Sequence, residues 1–148
     1  MIKNRLIALL RHEITSKIEM LTVDIKSLVE SKNNDTKSSA GDKYETSREM
    51  AQIELNKLEI QLQKSNVLLN ELNKIEKIKS SKTIEIGSLV ISSQENYFLS
   101  VPFGKLILEH NEYYAISLAS PIGIALKNKK IGDIVEFGGR KIEIKEIL

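Results

Sequence analysis

Cysteine and tryptophan are both missing from the 148 residues of this chain. Without cysteine there can be no disulfide framework and no thiolate metal site, an absence that fits a reducing compartment without fixing it. Without tryptophan, and with only four Tyr and three Phe, one large core is not expected. Helices that pack mainly on each other suit such a composition better. An excess of one charge is lacking too. The 22 basic and 20 acidic residues leave a formal net charge of +2, too balanced for binding nucleic acid by general electrostatics. Long apolar runs are also absent. Lys3 and Arg5 precede an apolar patch as in a signal peptide, but the patch ends at Arg11 after Leu6 to Leu10, too short for a signal core. No stretch approaches the length that spans a bilayer. A cytoplasmic location is the expectation.

What is present falls into two halves with different periods. Ile2, Leu6, Leu10, Ile14, Ile18, Leu21, Ile25 and Leu28 step by three and four, which predicts a long amphipathic helix over 2–30. Ala51, Leu55, Leu58, Leu62, Ser65, Leu69 and Leu72 do the same within a second helix over 43–79, a heptad seam with one polar member. Neither proline nor glycine interrupts these patterns. Between them lies SKNNDTKSSAG (Ser31 to Gly41), rich in turn and cap formers. Two apolar stripes joined by a short polar link bury each other by folding back as a hairpin. Arms of this length reach on the order of 45 Å. A parallel coiled coil between chains is the alternative, which the break at 31–41 disfavours.

After Ser80 to Lys82 the pattern turns to β-branched, partly alternating runs: Thr83 to Ser93, Glu95 to Val101, Leu106 to Glu109 and Glu112 to Leu118. Ser120 suits an N-cap and Pro121 a first helical position, which predicts a short helix that Asn128 can end in the left-handed conformation. Gly138-Gly139 reads as a tight hairpin turn between IVEF and KIEIKEIL. The fold class is α+β: an antiparallel coiled-coil hairpin over 1–79, its tip near 31–45, then an antiparallel β-sheet domain with a short helix over 80–148.

The stretch ISLASPIGIALKNKKIGDIVEF resembles the C-terminal signature of the Gre transcript-cleavage factors, I-x-V-x-S-P-L-G-x-A-L-x-G-K-x-x-G-D-x-V. The shared positions are Ile116, Ser120, Pro121, Gly123, Ala125, Leu126, Lys129, Gly132, Asp133 and Val135, with Ile122 for the usual Leu and Asn128 for the usual Gly. A shorter match covers Gly41, Asp42 and Glu45, while the four residues after Glu45 depart from the family's tip motif. The resemblance implies a coiled coil followed by an FKBP-like domain, in the order derived above.

It further implies a transcription elongation factor that binds RNA polymerase, enters its secondary channel and stimulates cleavage of backtracked RNA. Such a factor has no enzymatic activity and no cofactor of its own. Asp42 and Glu45 would be the two tip acids that help hold a magnesium ion shared with the polymerase, which suits an ion that takes few carboxylates beside substrate phosphate. Ser120, Pro121, Gly123, Lys129 and Lys130 would belong to the docking surface. Lys37, Lys43 and Arg48, with Lys32, could touch nascent RNA through its phosphates. The partners implied are the polymerase and, indirectly, the RNA of a DNA-associated elongation complex, with the factor itself a monomer and no membrane involved.

The same residues admit plainer readings. Asp42 and Glu45 have N-cap-to-N3 spacing and can serve the start of the second helix. Lys43 sits between them in sequence and would weaken a local negative field. A channel-binding inhibitor that does not promote cleavage fits the same architecture. A peptidyl-prolyl isomerase would share the small fold, but Tyr97, Phe98, Phe103, Tyr113, Tyr114 and Phe137 must then supply both core and pocket. A dimeric coiled-coil adaptor is the structural alternative. His12 and His110 stand alone, without partner ligands for a metal.

Overall fold

Two long helices open the chain, α1 (Ile2–Asp35) and α2 (Asp42–Ile75), in a computed structural model that describes residues 1–35 and 42–148. Their predicted seams are the faces that become buried. Leu6, Leu10, Ile14 and Leu21 of α1 and Leu55, Ser65 and Leu72 of α2 are buried, with Ile18, Ile25, Leu28, Ala51, Leu58, Leu62 and Leu69 half-buried. Ile2 alone of the predicted α1 stripe is exposed. α1 continues past the predicted end at residue 30 to Asp35. α2 stops at Ile75 rather than 79, where i→i−3 bonds from Lys77 to Lys74 and from Ile78 to Ile75 tighten the last turn.

The chain divides into two compact units, Glu13–Leu69 and the combination of Met1–His12 with Asn70–Leu148. In the first, Lys32 of α1 donates to the Gln52 side-chain carbonyl of α2. In the second, Arg11 donates to Asn73 Oδ1 at 2.9 Å and to Glu76 Oε2 at 2.6 Å. The pairing of early with late residues makes the helices antiparallel.

The second unit also holds a six-stranded mixed sheet. Its strands are β1 (Leu89–Ser92), β2 (Asn96–Leu99), β3 (Gly104–Leu108), β4 (Asn111–Ile116), β5 (Ile134–Phe137) and β6 (Arg140–Ile147), in the order β3-β4-β2-β1-β6-β5. The purely antiparallel expectation is corrected at one place: β2 and β4 are parallel, Asn96 opposite Tyr113 through Leu99 opposite Ile116. The cause is the order of strands. β3 lies at the edge, so the chain passes over the β4 position through Ser100–Phe103 and returns as β4 between β3 and β2. The predicted strand beginning at Thr83 is corrected too. Thr83 forms only an isolated bridge with Lys130, and the chain then turns at 85–88, where the Ser88 N–H donates to the Glu85 carbonyl and Gly87 sits at φ +90°, a conformation in which a ladder cannot continue.

The core beneath the short helix α3 (Pro121–Leu126) is Ile84, Val90, Tyr97, Leu99, Leu126, Val135, Ile142 and Ile144. Each such side chain contributes roughly 1.5–3 kcal/mol when fully removed from water. Phe98 and Tyr113 are buried as well, while Phe103, Tyr114 and Phe137 are half-buried, so all six aromatics serve packing. Two of the sheet's three hairpins, β3–β4 and β5–β6, close through two-residue turns. Gly138-Gly139 takes φ +59° and +75°, as predicted for a two-residue turn. Glu109-His110 takes φ +50° and +69° between the paired Leu108 and Asn111, without a glycine to ease it. Glu109 forms an ion pair there with Arg5 in the first turn of α1. Among the described residues no helix is long and apolar enough to cross a membrane.

Candidate functional site

Glu45 lies exposed in the first turn of α2. Lys32, Glu45, Arg48, Glu49 and Gln52 line an open groove of about 390 Å³. The helical period explains the grouping, since 45, 48, 49 and 52 share one side of α2. Lys43 falls on another side, in a separate groove with Thr46, Ser47 and Met50. Adjacency in sequence therefore does not make Lys43 a neighbour of the Glu45 carboxylate. Asp42 is the first residue of α2, inside the helix rather than before it, and of the two predicted acids only Glu45 has its side chain among those described. Lys37 lies outside the described residues.

Chemically the groove is lined by two carboxylates one turn apart, two cations and an amide. Lys32 is tied to Gln52, whose own amide donates to Asn56 Oδ1 at 2.9 Å. Hard oxygens of this kind can take part in holding a hydrated magnesium ion when other ligands come from elsewhere. Among the described residues no group of three or more His, Asp or Glu could hold a metal ion unaided. Glu49 and Gln52 were not singled out from the sequence, although the steps from Glu45 of four and seven residues carried the signal.

The signature segment builds a second candidate region, and its residues have local work to do. Ser120, extended at φ −67° and ψ 158°, caps α3: its Oγ accepts from the Gly123 N–H at 3.1 Å and donates to the Ser117 carbonyl at 2.6 Å. Pro121 starts the helix, where its missing N–H costs nothing. Gly123 is buried so closely on the preceding loop that a Cβ would stand 2.3 Å from the Ser117 oxygen. Asn128 ends the helix at φ +65°, as predicted, and donates to the Ile84 carbonyl at 2.8 Å. The Ile84 N–H returns the bond to the Lys129 carbonyl at 2.8 Å. The Asp133 carboxylate accepts from the Lys130 N–H at 2.9 Å, and Gly132 turns at φ +93°. Leu126 and Val135 enter the core.

Among the side chains this segment leaves exposed are Pro121, Ile124, Ile131 and Ile134, together with Lys127, Lys129 and Lys130. α3 packs on β5, so these side chains belong to adjoining elements. The docking residues expected from the sequence are Ser120, Pro121, Gly123, Lys129 and Lys130; Pro121, Lys129 and Lys130 are exposed, Ser120 and Gly123 are joined in the cap of α3, and the exposed isoleucines are not among them. An apolar residue in a helical or strand pattern reads as core, so only coordinates could single them out.

A third polar cluster joins distant parts of the sheet. Arg140 clamps Glu95 through two bonds of 2.9 and 3.2 Å, and the Tyr97 hydroxyl donates to the same carboxylate at 2.9 Å. The Arg140 bond holds the Glu95 carboxyl below its ordinary range. Burial, then the bond to Glu95, pushes the Tyr97 hydroxyl up to about 12. No family model matches the chain, and no curated protein or solved structure is significantly similar to it.

Proposed function

We propose that this chain is a polymerase-binding transcription elongation factor of the Gre type, non-enzymatic itself, which stimulates cleavage of backtracked RNA. The observation that carries the reading is Glu45: an exposed carboxylate in the first turn of the second hairpin helix, where the resemblance requires a tip acid. Two further features support it. The order of a two-helix hairpin and then a sheet domain with one short capped helix is the family's order, and the small domain is FKBP-like in this reading. The signature residues shape α3 and its exits, which leaves Ile124, Ile131 and Ile134, rimmed by Lys127, Lys129 and Lys130, as the surface offered to the polymerase.

In this mechanism Asp42 and Glu45 would complete the ligands of a magnesium ion already bound to polymerase and RNA phosphate. The ion supplies charge stabilisation to the attacking and leaving oxygens. The residues of this chain orient it and act on nothing else. Asp42→Asn with Glu45→Gln is expected to abolish magnesium-dependent transcript shortening in a stalled, backtracked complex while polymerase binding persists. Full shortening by that double variant would overturn the reading. A specific observation keeps one competitor, the channel-binding inhibitor: Lys32 and Arg48 line the same groove as Glu45 and dilute its negative field. Slower RNA synthesis without shortening by the unaltered protein would favour it.

A further inference from the structure

The Glu13–Leu69 unit carries a second seam that α1 does not use. Met50, Ile53, Ile60 and Val67 of α2 are 67%, 56%, 53% and 49% exposed. Lys57 and Lys64, also exposed, complete the series 50, 53, 57, 60, 64, 67. These steps alternate three and four over about 25 Å of helix, the a/d spacing of a coiled coil. The buried seam of Leu55, Leu58, Leu62, Ser65 and Leu69 runs along the other side of the same helix. Scattered exposed apolar side chains are ordinary, but an ordered seam six positions long is the pattern of a helix that meets another helix.

We infer that this seam pairs with its own copy, making an antiparallel dimer through the outer face of α2. The lysines decide both the occupant and its direction. In a parallel pair, a positions meet a positions, so Lys57 would face Lys57 and Lys64 would face Lys64, two like-charge layers inside an apolar seam. In an antiparallel pair, a meets d. Residue 50 then faces 67 of the second copy, 53 faces 64, 57 faces 60, and symmetry supplies the other three layers. Every lysine lies across from an isoleucine, its stem packed and its ammonium reaching the rim. At that rim the exposed Glu54, next to Ile53, stands beside Lys64 of the second copy, and twofold symmetry repeats the pair. Sliding by one heptad in either direction keeps only four of the six layers, so the register is single. The dimer exchanges with the single chain expected from the sequence, and it does not depend on the proposed transcriptional role.

The test uses the full chain in sedimentation equilibrium from about 1 μM to 1 mM, a range that brackets weak helix-mediated association. A concentration-dependent dimer is expected. Ile60→Lys, which sets lysine against Lys57 in two layers, weakens it by about a hundredfold or more. Ile60→Leu retains it, and helicity by circular dichroism is the same in both variants. Because the chain has no cysteine, single-cysteine variants report direction. Mixed Met50→Cys and Val67→Cys proteins should join to each other under a short thiol crosslinker in preference to joining like with like. A strictly monomeric chain, a dimer indifferent to Ile60→Lys, or preferential Val67→Cys self-coupling would each overturn the inference.

Discussion

Gly123→Ala should be the most damaging single-methyl change in the sheet unit. A Cβ at this position would lie 2.3 Å from the Ser117 oxygen and 2.9 Å from both the carbonyl carbon and the Cα of Leu118. These are backbone atoms. Real Cβ atoms essentially never come within 3.0 Å of a neighbour, so the Ser117 carbonyl must withdraw by about 0.7 Å or α3 must lift. That carbonyl also accepts the Ser120 hydroxyl at 2.6 Å and the Ser120 N–H at 3.1 Å, so moving it disturbs the cap. Overpacking against rigid backbone costs about 1–3 kcal/mol and a spoiled N-cap about 1 kcal/mol more. The expected loss is about 3 kcal/mol, roughly 10 °C in Tm for a chain of this size. Urea unfolding followed by circular dichroism measures it, with an unchanged slope showing that only stability has moved. Ile124→Ser, one residue along but 64% exposed, is the control and should change stability by less than about 0.5 kcal/mol. A Gly123→Ala protein as stable as that control would refute the close-approach argument and return Gly123 to the list of docking residues.

Two further outcomes follow from the sheet. His110→Gly should raise stability by about 0.5–1 kcal/mol in the same assay, because it relieves a left-handed residue in the turn while leaving the Glu109–Arg5 pair in place; no gain would show that the turn is not strained there. Tyr97 holds its proton more tightly in the folded chain than its ordinary value of 10.0, up to about 12. Its contribution is therefore complete below pH 10 and lost as pH rises from 10 to 12. Spectrophotometric titration should show one tyrosine ionising late, and Tyr97→Phe should flatten the fall of stability over that window; an identical fall in the variant would sink the assignment.

The parts of this fold legible in the sequence are those set by local period and turn chemistry. Both helices announced themselves through three-four spacing, and even Ser65, polar within its seam, is buried as its place required. Asn128 and Gly138-Gly139 took the left-handed conformations their residue types favour. The parallel β2–β4 pair was not legible, because alternation says that a segment is a strand and nothing about which strand it lies beside. The Glu109-His110 turn was hidden for another reason: neither residue is the glycine or asparagine that marks such turns. At the candidate site, Glu45 was legible through the short tip match. Glu49 needed only the helical period. The Glu95–Arg140 clamp joins residues 45 apart in sequence and left no local trace.

The unit that contains the sheet is assembled from two separated pieces of chain, Met1–His12 and Asn70–Leu148. The first twelve residues, among them Leu6 and Leu10 with no exposed surface, therefore emerge from synthesis long before their partners. They can take their places only after the whole of Glu13–Leu69 has been made. The intervening helices shorten that wait, because zipping α1 against α2 delivers Arg11 to Asn73 and replaces a floppy loop closure with a guided one. Folding of the sheet unit is thus timed by the hairpin, and a defect that delays the hairpin seam should surface first as slow burial of the amino-terminal leucines.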